Sequence, residues 1–168
     1  MSGKPLERAR PGAGADFEQV FRDTAPGLWR TIYAYSAGRP AVADDAVAEA
    51  FARALERAGQ IREPVPWLYR TAFRLAAQDL RRERREPDLA SAADQAADSP
   101  AGLAALVPAL RQLSPAQRAA VVLHYEADLP VREVARRMGT SAGAVKVHLS
   151  RARRRLRELL GDDEVEDG

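Results

Sequence analysis

The sequence predicts an all-α protein built as two small helical domains joined by a flexible linker. Three observations point there. No strand-like alternation of apolar and polar residues runs for any length, whereas apolar residues recur at helical spacing in several separate segments. A proline-bounded, Ala/Asp-rich stretch parts those segments into two groups. Each group carries its own block of basic residues.

Residues 1–15, rich in Gly, Pro and Ala, read as a flexible leader, and residues 16–86 as the first helical domain. Asp16 opens a helix, with Gln19 placed to complete a capping box. Phe17, Val20, Phe21, Leu28, Ile32 and Tyr35 are its apolar positions, and Pro26-Gly27 should kink or divide it. Gly38-Arg39-Pro40 is a turn. A second helix over about Val42–Ala58 should bury Val47, Ala50, Phe51, Ala54, Leu55 and Ala58. Asp45, Glu49, Arg53 and Glu56 then face away, and the adjacent Asp44 and Asp45 suit a helix start.

Pro64 and Pro66 should keep helix out of the connection that follows. The third helix, about Trp67–Arg85, places Leu68, Tyr69, Ala72, Leu75, Ala76 and Leu80 on one side. The opposite side presents Trp67, Arg70, Thr71, Arg74, Gln78, Arg81, Arg82 and Arg85. Six arginines here face only Asp79 and Glu83, so this basic stripe with one aromatic suits a phosphate backbone.

Residues 87–101 form the acidic linker, and residues 102–160 the second helical domain. Pro108 should interrupt its first helix. Ser114-Pro115 is an N-cap followed by a first-turn proline. His124 lies in an apolar helix and reads as structural. Residues 161–168 form an acidic tail, expected to compete with DNA for the basic helix.

Within 102–160, VREVARRMG and SAGAVKVHLSRARRRL meet at a Gly-Thr-Ser hinge, the sequence form of a helix-turn-helix. At about 100° per residue, Val145, Leu149, Ala152 and Leu156 fall in one narrow arc and form the buried stripe. Gly143, Ala144, Val147, Ser150, Arg151 and Arg154 lie opposite, with Ser141 as N-cap. Ala144, Val147, His148 and Arg151 form the candidate base-reading surface, and Lys146, Arg154 and Arg155 the phosphate contacts. Residues 129–160 hold nine Arg or Lys against two Glu, so the field around this helix is strongly positive.

Composition excludes several function classes. The chain has no cysteine and only two histidines, which leaves no thiolate chemistry and no zinc cluster. A phosphate loop and a nucleophile–base pair are also missing, so no enzyme, catalytic residue, metal or cofactor is expected. No apolar run reaches the roughly 20 residues of a membrane span, and the N-terminus has no signal-peptide core. A cytoplasmic protein is expected.

Together these segments resemble the group 4, extracytoplasmic-function (ECF) sigma factors of the sigma-70 family, from about Phe17 to Leu160. Ala43–Arg57 resembles the family's segment that docks on the polymerase clamp helices. Pro66–Arg82 resembles its helix for promoter melting and −10 recognition, and Leu113–Leu160 its −35-binding helix-turn-helix. Ala46 and Ala48 depart from the docking pattern, which Asp44, Asp45, Val47, Glu49 and Phe51 keep. Arg74 and Gln78 depart in the −10 helix, and Pro130 and Val131 in the helix-turn-helix.

The resemblance implies a factor that directs core polymerase to promoters. Asp44, Asp45, Glu49, Arg53 and Glu56 would bind polymerase, and Trp67, Arg70, Arg74, Gln78, Arg81 and Arg82 the −10 element. Ala144, Lys146, Val147, His148, Arg151, Arg154 and Arg155 would bind the −35 element. It also implies the clamp and flap of core polymerase, promoter DNA and an anti-sigma factor as partners. A stand-alone helix-turn-helix regulator would explain residues 129–160 but leave the first domain's signatures without a task.

Overall fold

The computed structural model describes residues 13–85, 100 and 102–161, and every regular element among them is helical. The expected leader apart from its last residues, the linker apart from Pro100, and the acidic tail beyond Gly161 lie outside the described residues. The elements are α1 (Ala13–Tyr35), α2 (Pro40–Glu56), α3 (Pro64–Arg85), α4 (Val107–Arg111), α5 (Pro115–Val121), α6 (Val131–Met138) and α7 (Ala142–Leu160).

In the first domain α1 runs unbroken through Pro26, contrary to the expected division. Leu28, Ile32 and Tyr33 just beyond the proline are almost wholly buried, and that packing holds the helix across the one lost amide bond. The expected capping box does not form, because the helix starts upstream of Asp16 and Gln19 hydrogen-bonds Asp23 one turn on. Gly38 closes the turn at φ +84°, and Pro40 starts α2 where its missing N–H costs nothing.

That early start places Asp44 and Asp45 beyond the first turn of α2, so they do not sit on its N-terminal dipole. Val47, Ala50, Phe51 and Ala54 are buried as expected, whereas Leu55 and Ala58 face solvent. Helix α3 begins at Pro64 rather than Trp67. Both prolines occupy its first turn, whose amides have no helical partner to lose. Leu75 is only partly buried, while Thr71 and Phe73 are buried, so α3 packs on more than one side.

In the second domain Pro108 starts α4 instead of interrupting it. Ser114 and Gln117 complete a reciprocal capping box at α5. The chain then widens into a π-helical turn over Val122–Glu126, closed by the Ala127 amide donating to Val122 O. His124 Nδ1 stands 2.7 Å from Leu129 O, so it donates there and ties down the exit of that turn. This is the structural role the apolar setting of His124 suggested.

The two domains pack together. Buried residues of α1, α2 and α3 continue into those of α4, α5 and α7 as one hydrophobic core. Helix α6 lies on α3, and α1 touches α4, α5 and the π-helical turn. Gly38 sits at this junction: a Cβ there would meet Val107 Cγ1 at 3.2 Å and Cγ2 at 3.3 Å. Gly38→Ala should therefore destabilise the fold by about 1–2 kcal/mol from the left-handed backbone alone. Urea unfolding followed by circular dichroism checks this; an unchanged midpoint would show that the turn does not need a left-handed residue at this position.

Candidate nucleic-acid interface

Helix α6 ends at Gly139, whose φ of 69° and ψ of 38° are left-handed, a conformation glycine adopts without cost. The Thr140 amide bonds Ala135 O at 3.0 Å, so the hinge satisfies its own backbone. Ser141 then caps α7, its hydroxyl accepting from the Ala144 amide at 3.1 Å. Val145, Leu149, Ala152 and Leu156 are buried, as the helical spacing required. Burial of each Val or Leu contributes about 1.5–3 kcal/mol, which fixes the rotation of α7 about its axis.

That rotation decides what solvent meets. Lys146, Val147, Arg151 and Arg154 are exposed, and Ala144 and His148 are partly covered. Val147 keeps 47% of its surface exposed, which is high for a branched apolar side chain. Arg155 is exposed but pairs with Glu158 at 3.1 Å, so it reaches a phosphate only by exchanging that partner. Arg153, outside the expected set, donates to Tyr125 Oη at 3.3 Å and braces α7 on the π-helical turn.

The basic face of α3 is engaged differently. Arg74, Gln78, Arg81 and Arg82 are exposed, with Asp79 3.9 Å from Arg82. Trp67 is partly buried and lines a hollow of about 250 Å³ with Arg57, Ile61, Arg62, Glu63 and Arg70. Arg70 donates to Arg136 O at 3.0 Å, so it caps the C-terminal end of α6. Glu63 pairs with Arg136, which also holds Glu133 at 2.8 Å. The Arg136 hydrogen bond and charge hold the Glu63 carboxyl below the usual carboxylate range. Its contribution is thus present above that range and lost as pH falls through the lowered pKa.

Sequence reasoning missed the Arg70–Arg136 and Glu63–Arg136 ties because they join residues more than sixty positions apart. It also missed two arginines that lie over aromatic rings between the domains. Arg137 sits 4.3 Å from the Tyr69 ring, and Arg118 sits 5.2 Å from the Tyr35 ring. Arg118 is only 6% exposed, and burial lowers its pKa and raises that of Tyr35.

On α2, Asp44, Asp45, Glu49 and Glu56 of the expected polymerase contacts are exposed and Arg53 is partly buried. Asp45, Ala46, Ala48, Glu49 and Ala52 border a groove against Leu75 and Asp79 of α3. The alanines that depart from the docking pattern make up much of its apolar wall, so the acidic groups stand beside a shallow apolar surface. Glu49 pairs with Arg53 at 2.7 Å, and Glu56 is exposed. Asp44 accepts from Trp29 Nε1 at 2.7 Å and thereby pins α1 to α2.

Comparisons with known proteins agree with this layout. The family model for sigma-70 region 2 matches residues 20–86, and that for sigma-70 region 4 matches residues 103–156. The ECF RNA polymerase sigma factor BldN of Streptomyces coelicolor is 34% identical over 173 residues, covering 94% of this chain and 65% of BldN. The RNA polymerase sigma factor CarQ of Myxococcus xanthus is 34% identical over 175 residues, covering 96% of this chain and 98% of CarQ.

The fold is also shared with solved structures. The sigma factor RpoE of Bartonella quintana, solved with the anti-sigma factor NepR, matches with a TM-score of 0.68 at 24% identity, covering 89% of this chain and 99% of RpoE. CnrH, solved with the cytosolic domain of CnrY, matches with a TM-score of 0.66 at 24% identity, covering 91% of this chain and 92% of CnrH. With both regions matched in order and relatives aligned along nearly its whole length, this chain belongs to the sigma-70 family of RNA polymerase sigma factors, in the ECF group.

Proposed function

We propose that this chain acts as the promoter-recognition subunit of RNA polymerase, gripping duplex DNA with α7 and opened DNA with α3. The observation that carries this reading is the division of labour between two basic helices, each fixed by its own apolar stripe. On α7, small and apolar residues at the N-terminal end are followed by outward arginines. That order suits close approach to base edges, with phosphate contacts further along. On α3, the arginines and the Trp67 hollow suit a single strand whose bases are unstacked.

Ala144, Val147, His148 and Arg151 would read the −35 duplex, and Lys146, Arg154 and Arg155 would hold its backbone. Trp67, Arg70, Arg74, Gln78, Arg81 and Arg82 would take the −10 element. Asp44, Asp45, Glu49, Arg53 and Glu56, of which Asp45 and Glu49 border the alanine-walled groove, would meet the clamp of core polymerase, and the second domain would meet the flap. Neither domain has to bind tightly alone, because tethering through polymerase raises the effective concentration of each. The chain would supply no catalytic group; chemistry would stay with polymerase, in the cytoplasm. RpoE, which shares this fold and was solved with the anti-sigma factor NepR, supports such a protein as a further partner.

Mapping transcript 5′ ends with core polymerase, with and without the chain, tests the reading. Promoter-specific starts that need the chain are expected; DNA binding without such starts would leave a stand-alone regulator instead. Once a promoter is in hand, Arg151→Ala should cost about 1–3 kcal/mol and relax preference at one base pair. Arg154→Ala should weaken all duplexes alike and lower the salt slope by about 0.9. Fluorescence anisotropy across a salt series checks both, and equal effects from the two substitutions would contradict the division between reading and holding. The exposed methyls of Val147 suit a thymine methyl group. Uracil in place of one −35 thymine should then weaken the wild-type chain and leave Val147→Ala unaffected, and a loss of equal size in both would exclude the contact.

A further inference from the structure

Helix α3 carries a row of cations along one edge. At about 100° per residue, Arg70, Arg74 and Arg81 fall within about 40° of one another around its axis. Arg70 and Arg81 stand about 16 Å apart along that axis. With Arg137 of α6 they border a cleft of about 310 Å³ beside Tyr35 and Phe73, and no carboxylate borders it.

Little in the chain neutralises these groups. Among the described residues neither Arg74 nor Arg81 makes an ion pair. Arg70 donates one N–H to Arg136 O and keeps its other donors. Arg137 lies over the Tyr69 ring, and its Nε–H is buried with no acceptor among the described residues. A buried donor left without an acceptor is rare in folded proteins and costly. Burial raises the pKa of the Tyr35 phenol, and the positive field of Arg118, Arg81 and Arg84 opposes that rise. Further arginines therefore act on the same seam.

Four cations around one cleft repel one another, and an anion of matching extent relieves that repulsion. The length of the row selects among anions: one phosphate group cannot meet both ends of it, whereas linked phosphates can. The volume sits at the lower end of small-molecule pockets, which run from about 300 to 1,000 Å³. Tyr35 and Phe73 are only 4% and 8% exposed, so neither ring offers an open face on which a base would stack.

We infer that this cleft is a binding site for a small anion of linked phosphate groups, held by Arg70, Arg74, Arg81 and Arg137. The site needs neither promoter nor polymerase. Its three α3 arginines also belong to the proposed −10 face, so a bound anion would compete with an opened strand. That consequence rests on the proposed role of α3; the site itself does not.

The test is calorimetric titration of the full-length chain with sodium tripolyphosphate at about 0.15 M salt, where loose attraction to exposed arginines is screened. One anion per chain is expected. Arg74→Gln and Arg81→Gln, both at exposed positions, should each weaken binding about tenfold. Arg132→Gln removes an equal charge from an exposed position of α6 outside the cleft and should change it less than about twofold. Arg137→Lys keeps the charge but removes the buried Nε–H, and should also weaken binding about tenfold, with circular dichroism confirming the fold. ATP without magnesium separates the two sources of such a ligand. An affinity matching that of tripolyphosphate assigns the site to the phosphate chain of a nucleotide, and one about tenfold weaker to free polyphosphate.

No binding, several anions per chain, or an equal loss from Arg132→Gln would overturn the site and leave the sigma reading standing. Start-site mapping tests that reading independently of these titrations.

Discussion

A helix that meets a polyanion has to keep one face out of water and the other entirely in it. An arginine side chain cannot be buried without a partner, so the apolar stripe of such a helix decides where its charges point. This constraint governs both basic helices here. On α7 the stripe Val145, Leu149, Ala152, Leu156 is buried on the side that packs against α4, α5 and α6, and Arg151 and Arg154 opposite it stand in solvent. The Gly139 hinge and the Ser141 cap then set the angle at which that basic face is presented.

On α3 the same constraint has a different outcome, because α1, α2 and α6 all pack on the helix. Leu68, Ala72 and Ala76 are buried, and so are Thr71 and Phe73, so more than one side of it is covered. The arginines of this helix are therefore not uniformly free. Arg70 is spent on the end of α6, Arg82 lies near Asp79, and Arg74 and Arg81 border a cleft with no carboxylate. Both basic helices thus rest on one shared core. That core is apolar and continuous between the domains, and the polar ties at its margin, Glu63 to Arg136 and Arg70 to Arg136 O, are exposed.

Much of this was legible in the sequence, and the reason is period. The stripe and hinge of the helix-turn-helix are local patterns, and each buried position on α7 was the one the spacing named. The three signature segments, in order, likewise carried the family without any knowledge of contacts. Capping and helix starts were harder. Pro64 and Pro66 read as breakers, yet a first-turn proline gives up no hydrogen bond, and α3 begins on them. Pro26 read as a break too, but the tightly packed residues after it keep α1 whole. The burial of Thr71 and Phe73, the Trp29–Asp44 tie and the Arg70 cap were not legible, because each depends on a neighbour distant along the chain.

Gripping duplex with α7 and opened DNA with α3 requires the domains, packed together in the free protein, to part when a promoter is engaged. Single-molecule energy transfer between dyes on α2 and α7 measures this most directly, at cysteines introduced on exposed positions of the cysteine-free chain. The account predicts one short distance in the free protein and one long distance in the complex with core polymerase and promoter DNA. The same distance in both states would contradict it.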